Sequence, residues 1–166
     1  FFSHVSHPSA LAPFEAVALE AEAAKVAEMF SLAAQDKQIH LNVVGSASVL
    51  GDRLMIQRAI SNLLSNALRH CPNGKTITLL IEQGATQASL LVSNPGVGIE
   101  AQHLPHLFDR FYRVDSARSR SQGSTGLGLY FAGRIAALHQ RNGVGGRTEI
   151  SNGGPLGGGV FRLYLP

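Results

Sequence analysis

The chain has 166 residues, 45% hydrophobic and 15% charged, a balance that suits one globular domain. A single cysteine, Cys71, excludes an internal disulfide and points to a reducing compartment, and no apolar run approaches the ~18 residues of a membrane span. The formal charge of +3 is only mildly basic, so nucleic acid has no specific support; Arg69, Arg110, Arg113, Arg118 and Arg120 serve a phosphorylated small molecule equally well.

The stretch "HPSALAP" at 7–13 reads as linker, with Pro13 suited to a first helical turn. From 14 to about 37 the chain is rich in Ala, Glu and Lys, with Val17, Val26, Met29 and Phe30 among its apolar members, and this predicts a helix. Next, "IHLNVVG" alternates as a half-buried strand and "SVLGD" reads as a short second one. Asp52 is placed to cap a long helix that Pro72, Asn73 and Gly74 terminate. "KTITLLIEQG" and "QASLLVSNPG", joined through 84–86, predict an antiparallel hairpin. A short helix is expected around 102–108, a polar Ser- and Arg-rich loop over 114–125, and a helix over 127–139. Eight glycines between 143 and 159 punctuate two last strands, "RTEIS" and "GVFRLYL". Helices alternate with strands, yet the strand pairs are hairpin-like. The expected fold is therefore α+β, a two-layer sandwich whose mixed sheet is covered by helices on one face.

Four stretches carry the chemistry. Within "RAISNLLSNALRHCPNG" at 58–74, Ile60, Leu63, Leu64, Ala67 and Leu68 form a core stripe, while Asn62 and Asn66 lie one turn apart on another face. An Asn carbonyl oxygen suits Mg²⁺, a hard ion, without adding negative charge beside a polyphosphate. Arg69 follows three residues on, within reach of a phosphate. In "NPGVGI", Asn94 offers a donor and an acceptor at a strand end, and Gly96 and Gly98 allow close backbone approach. "LFDRFYR" places Arg110 and Arg113 among aromatics beside the polar loop. "GSTGLGL" is a glycine-rich turn opening a helix, where backbone N–H groups cradle phosphate; it is neither a Walker A loop nor a dinucleotide fingerprint.

In order, Asn62-Leu-Leu-Ser-Asn66-Ala, Asn94-Pro-Gly96-Val-Gly98-Ile99, Leu107-Phe108-Asp-Arg-Phe111, Ser124-Thr125-Gly126-Leu127-Gly128-Leu129 and Gly157-Gly-Gly159 resemble the sequence boxes of the ATP-binding domain of sensor histidine kinases. The resemblance spans 14–166, and "FDRFYRVDSARS" with "NPG" is most similar to kinases that sense copper, silver and related heavy metals. It implies the Bergerat fold of gyrase-type ATPases, with ATP between helices and sheet under a lid at 113–125. It further implies that Asn66 ligates Mg²⁺. Asn62 would stand where hydrolytic relatives carry a glutamate base; a neutral amide there suppresses attack by water. Arg69 would touch phosphate, His70 the adenine, and Gly96, Gly98, Ile99, Phe108 and Arg113 the nucleotide. Ser124, Thr125, Gly126, Leu127, Gly128 and Leu129 would close on the triphosphate.

Asn94 occupies a position where the family usually has an aspartate that accepts from the adenine amino group. After Leu129, "YFAGRIAALHQRNGVGG" departs from the family's aliphatic run and compact Leu-His-Gly-Gly turn. The implied function is to bind Mg·ATP and donate its γ-phosphate to a histidine on a separate dimerisation domain, for relay to a response regulator. The alternative is a nucleotide-binding regulatory module or pseudokinase without transfer.

The chain starts with Phe1, and 1–13 reads as linker from that upstream dimerisation and phosphoacceptor domain, with His4 and His7 as linker residues. His103 and His106 read as surface histidines, not metal ligands. The resemblance implies no nucleic-acid partner and no direct membrane contact. It describes a cytoplasmic domain of a parent protein in the bacterial inner membrane.

Overall fold

The computed structural model describes residues 13–95, 128–141, 143–152 and 159–166. The single helix expected over 14–37 is corrected there. Glu15–Ala18 is a strand, β1, followed by helices α1 (Leu19–Met29) and α2 (Ser31–Asp36). The Glu-Ala-Val-Ala run is compatible with helix by propensity, but it pairs antiparallel with β3 (Ser48–Gly51), setting Val17 against Val49. Both valines are buried, and that non-local burial overrides the local preference.

β2 (His40–Gly45) lies parallel to β4 (Thr76–Gln83), and the connection between them carries β3 and the 18-residue helix α3 (Arg53–His70). A parallel pair requires such a crossover. β4 turns into β5 (Ala88–Ser93) as the expected antiparallel hairpin. After α4 (Gly128–Leu138), a two-residue ribbon of β6 (Gln140–Arg141) and β7 (Val144–Gly145) precedes β8 (Arg147–Asn152) and β9 (Gly159–Leu165). The five-stranded sheet runs β2-β4-β5-β9-β8.

Alternation along the strands divides its faces. Ile77, Leu79, Ile81, Leu90, Val92, Phe161 and Leu163 point into one core with Ile56, Ile60, Leu63 and Leu64 of α3 and Ala132, Ile135 and Ala136 of α4. On the other face, cross-strand neighbours run Val44, Leu80, Leu91, Arg162, Glu149. Helices thus cover one face of a mixed sheet, as expected.

Both ends of α3 are held. The Asp52 side chain accepts from the Met55 N–H at 3.2 Å, the cap expected from sequence. At the other end, Lys37 Nζ donates to the Leu68 carbonyl at 2.6 Å, satisfying an orphan acceptor and placing a cation at the negative end of the helix dipole.

A third restraint comes from His139, at the end of α4 and only 1% exposed. Its Nδ1–H donates to the Ile135 carbonyl at 2.8 Å, and its Nε2 accepts from the Asp52 N–H at 3.0 Å. That pairing specifies a neutral ring, with Nδ1 as donor and Nε2 as acceptor. Phe14 stacks on the ring with centroids 5.2 Å apart, and a side chain at Gly51 would strike both the ring and Ile56 Cδ1. The imidazole therefore joins the chain before β1, the start of α3 and the end of α4.

Burial pushes the His139 pKa below its usual 6.5, against smaller upward pulls from the Ile135 carbonyl and the Asp52 carboxylate. A lowered folded-state pKa means that the unfolded chain binds more protons near pH 6. The stabilisation is complete above 6.5 and is lost as the pH falls through the folded-state value. Urea titrations from pH 8 to 5 should show wild-type stability dropping on the acid side more steeply than that of His139→Gln, whose amide cannot titrate in this range. Parallel profiles would refute the assignment.

Candidate functional site

The apolar stripe of α3 is buried as its spacing requires, and the adjacent amide face is not the solvated surface that two asparagines would ordinarily mark. Asn66 is 9% exposed. Asn62 is partly buried, and its Nδ2 is fully enclosed with no hydrogen-bond partner among the described residues. The first residue of α4 lies beside it: a side-chain carbon at Gly128 would sit 3.9 Å from Cβ, Cγ and Oδ1 of Asn62. With His139 against Asp52 at its far end, α4 runs antiparallel to α3 and opens beside the amide pair.

An unpaired buried amide N–H is a standing cost, because neither water nor protein replaces its lost hydrogen bond. Around it the local field favours an anion. The N-terminus of the 11-residue helix α4 lies alongside, with no acidic residue in its first turn. Arg69 is half-buried, makes no hydrogen bond or ion pair among the described residues, and has its pKa lowered by burial. A desolvated guanidinium with no carboxylate beside it among the described residues is a waiting counter-charge.

Asn94 joins this end of the molecule through strand register. The turn at 71–75 carries α3 into β4, Thr78 near the start of β4 pairs with Ser93, and Asn94 follows directly. Its side chain is buried, with Nδ2 donating to the Pro95 carbonyl at 3.3 Å. The structure thus groups Asn62, Asn66, Arg69, Asn94 and Gly128 around the C-terminal half of α3, the end of β5 and the start of α4. His70 closes α3 as an exposed residue with interactions of its own, and Leu129 lies one step into α4, packed on the core. Gly96, Gly98, Ile99, Phe108, Arg113, Ser124, Thr125, Gly126 and Leu127 lie outside the described residues, as do the lid at 113–125, the short helix at 102–108, His4, His7, His103 and His106. Among the described residues no group of three or more His, Cys, Asp or Glu could hold a metal, so a cation here would depend on the amide oxygens and on its ligand.

Sequence reasoning gave no role to the residues that hold this wall in place. Glu22 is buried between helices, accepting from Gln57 Nε2 at 2.6 Å with Lys25 at 3.6 Å, although its spacing marks it only as one more charge on an Ala-Glu-rich helix. Lys37 and His139 are similar cases. For His139 a signal existed, a lone imidazole ending an apolar helix, but its partner Asp52 is 87 residues away.

Comparison with known proteins bears on the family and the fold. The profile of the family described as histidine kinase-, DNA gyrase B-, and HSP90-like ATPase matches residues 51–166. The chain is 46% identical to the sensor protein IrlS of Burkholderia pseudomallei over 119 residues, 72% of this chain and 26% of IrlS. It is 44% identical to the sensor histidine kinase CusS of Escherichia coli over 120 residues, 72% of this chain and 25% of CusS. It is 37% identical to the sensor protein CzcS of Cupriavidus metallidurans over 145 residues, 84% of this chain and 30% of CzcS. The chain therefore spans between a quarter and a third of the length of these curated relatives.

Among solved structures, the nucleotide-free catalytic domain of histidine kinase ThkA superposes with a TM-score of 0.79 at 23% identity, covering 93% of this chain and 96% of that one. The mycobacterial sensor histidine kinase MprB gives 0.75 at 25% identity, covering 92% and 97%. The chain belongs to the histidine kinase-, DNA gyrase B-, and HSP90-like ATPase family.

Proposed function

We propose that this chain is the catalytic ATP-binding domain of a two-component sensor histidine kinase of the heavy-metal-sensing type, which binds Mg·ATP and donates the γ-phosphate to a histidine on a separate dimerisation domain. A response regulator would then take the phosphoryl group from that histidine. The observation that carries the reading is the enclosed, unpaired Asn62 amide between α3 and the start of α4, one turn from buried Asn66. A polyphosphate oxygen is the acceptor such a donor lacks. Similar folds support it: ShkA has been solved with AMPPNP, and ThkA with the response regulator protein TrrA.

Asn66 would hold Mg²⁺ through its carbonyl oxygen, with Arg69 and the N-terminal N–H groups of α4 taking up the remaining phosphate charge. Bound there, Mg²⁺ supplies the positive charge that offsets the phosphate oxygens during transfer. Asn62 contributes by what it is not: an amide cannot deprotonate a water, so the γ-phosphate is kept for the acceptor histidine. Gly96, Gly98, Ile99, Phe108, Arg113 and the turn from Ser124 through Leu129 would complete the ATP site, and His70 would lie against the base. The parent protein would sit in the bacterial inner membrane with this domain on the cytoplasmic side, where ATP is found. No helix among the described residues is long and apolar enough to cross a membrane. A regulatory module without transfer is separated by adding the upstream acceptor domain and labelled ATP, since phosphohistidine forms only with the kinase.

Asn66→Ala should leave the circular dichroism spectrum unchanged but weaken Mg²⁺-dependent ATP binding by at least about tenfold, a loss of ~1.4 kcal/mol or more by calorimetry. Unchanged affinity counts against the site. Asn62→Leu should raise the free energy of unfolding without nucleotide by ~1 kcal/mol, because it removes an unsatisfied buried donor. The same variant should bind ATP less tightly. A less stable Asn62→Leu would mean that the amide is already satisfied.

A further inference from the structure

We propose that neutral His139 positions the nucleotide site from the far end of α4, so that proton binding there and ATP binding beside Asn62 oppose each other. The proposal rests on the nucleotide site described under the proposed function. The two ends of α4 are held differently. Its first residue, Gly128, stands beside Asn62. About 16 Å along the axis, at ~1.5 Å per residue, His139 follows its last residue and accepts from the Asp52 N–H at 3.0 Å. Between them Ala132, Ile135 and Ala136 lie in the core shared with α3, in apolar contacts that have no direction of their own. A helix passes a shift at one end to the other, so the bond at His139 sets where the N-terminus of α4 meets the amide pair.

A proton on Nε2 turns the ring's acceptor into a second donor, and two N–H groups then face each other across the former bond. The surroundings offer little to hold the imidazolium. From α3 comes the Asp52 carboxylate, the one charge acting on the ring among the described residues, and it is engaged as the cap on Met55. β3 brings Gly51, and the chain before β1 brings Phe14, neither of which titrates. Glu15, next to Phe14, is paired with Arg53 at 2.6 Å. Arg141, two residues beyond the ring, is a further cation rather than a counter-charge. The charged ring must therefore leave its slot or draw Asp52 off the first turn of α3. Either way α4 is released from the start of α3. A nucleotide that needs α4 in place disfavours that state, and by linkage the proton disfavours the nucleotide equally.

The test is calorimetric titration of the 166-residue chain with Mg²⁺ and AMPPNP from about pH 8 to 5, for wild type, His139→Gln and His139→Leu. Circular dichroism checks that each protein is folded at each pH. Gln sets an amide oxygen where Nε2 stands and does not titrate, so its profile carries the background from the phosphates and from His70. Wild-type affinity should fall across this range by about threefold or more beyond that of His139→Gln. At pH 8, His139→Gln should match the wild type within about twofold, and His139→Leu should bind less tightly than both. Nitrogen NMR of the imidazole reads the same coupling from the other side: saturation with AMPPNP should lower the His139 pKa by about 0.5 or more. Superimposable wild-type and His139→Gln profiles, or a His139 titration that AMPPNP leaves unmoved, overturn the proposal while leaving the nucleotide site intact. Failure of the wild type to bind AMPPNP at any pH overturns the site itself, and the proposal with it.

Discussion

The arrangement depends on α3 being held rigid while one of its faces stays polar and enclosed. An 18-residue helix with a wide apolar stripe is anchored by its core, but burial alone does not fix rotation or slide. Directional bonds do. Asp52 caps the first turn, Gln57 bonds buried Glu22, Lys37 reaches the Leu68 carbonyl, and His139 ties the Asp52 backbone to the end of α4. None of them involves Asn62 or Asn66, so the two amides need not support the structure as well.

The chemistry of the wall follows from neutrality. Carboxylates in place of the two asparagines would hold Mg²⁺ strongly, but they would also repel the phosphates and could activate water. In the site proposed above, amides would hold the cation more loosely and depend on the phosphates for part of its coordination, so that cation and nucleotide would favour each other's binding. The positive charge would come from sources unable to act as bases at neutral pH: an arginine and the end of a helix dipole. An unpaired buried donor in the free protein is the cost of this design, and preorganised sites often carry such a cost.

Legibility in the sequence tracked the range of the interactions. Helix α3, its Asp52 cap and the β4–β5 hairpin were readable because periodicity, capping and turn residues are local signals. The polar pair on α3 was readable as a pair because helical spacing places Asn62 above Asn66. Its burial was not, because it depends on elements far along the chain, such as α4, whose first residue Gly128 lies beside Asn62. β1 looks helical in sequence for the same reason: Glu15 and Ala16 favour a helix until β3 arrives beside them. The β6–β7 ribbon lies in a glycine-rich stretch with too little side-chain pattern to reveal pairing. The departure from the family's usual turn after α4 is thus absorbed by a small hairpin, and Gly146 N–H still bonds back to the His139 carbonyl at 2.9 Å.

The outer face of the sheet changes character from one margin to the other. Near β2 it is apolar, through Val44, Leu80 and Leu91; at β8 it becomes a charged lattice. There Arg147 bonds Glu149 at 3.2 Å and Gln87 at 3.2 Å, and lies 4.1 Å above the Tyr164 ring. β8, like β2 at the opposite margin, has no further strand to pair with among the described residues. A second molecule trying to extend the sheet there would have to seat its side chains against this lattice and desolvate it. The ion pair adds little to folding stability where it stands. Its consequence is colloidal: it discourages zippering between copies at high concentration, the hazard that any open strand carries.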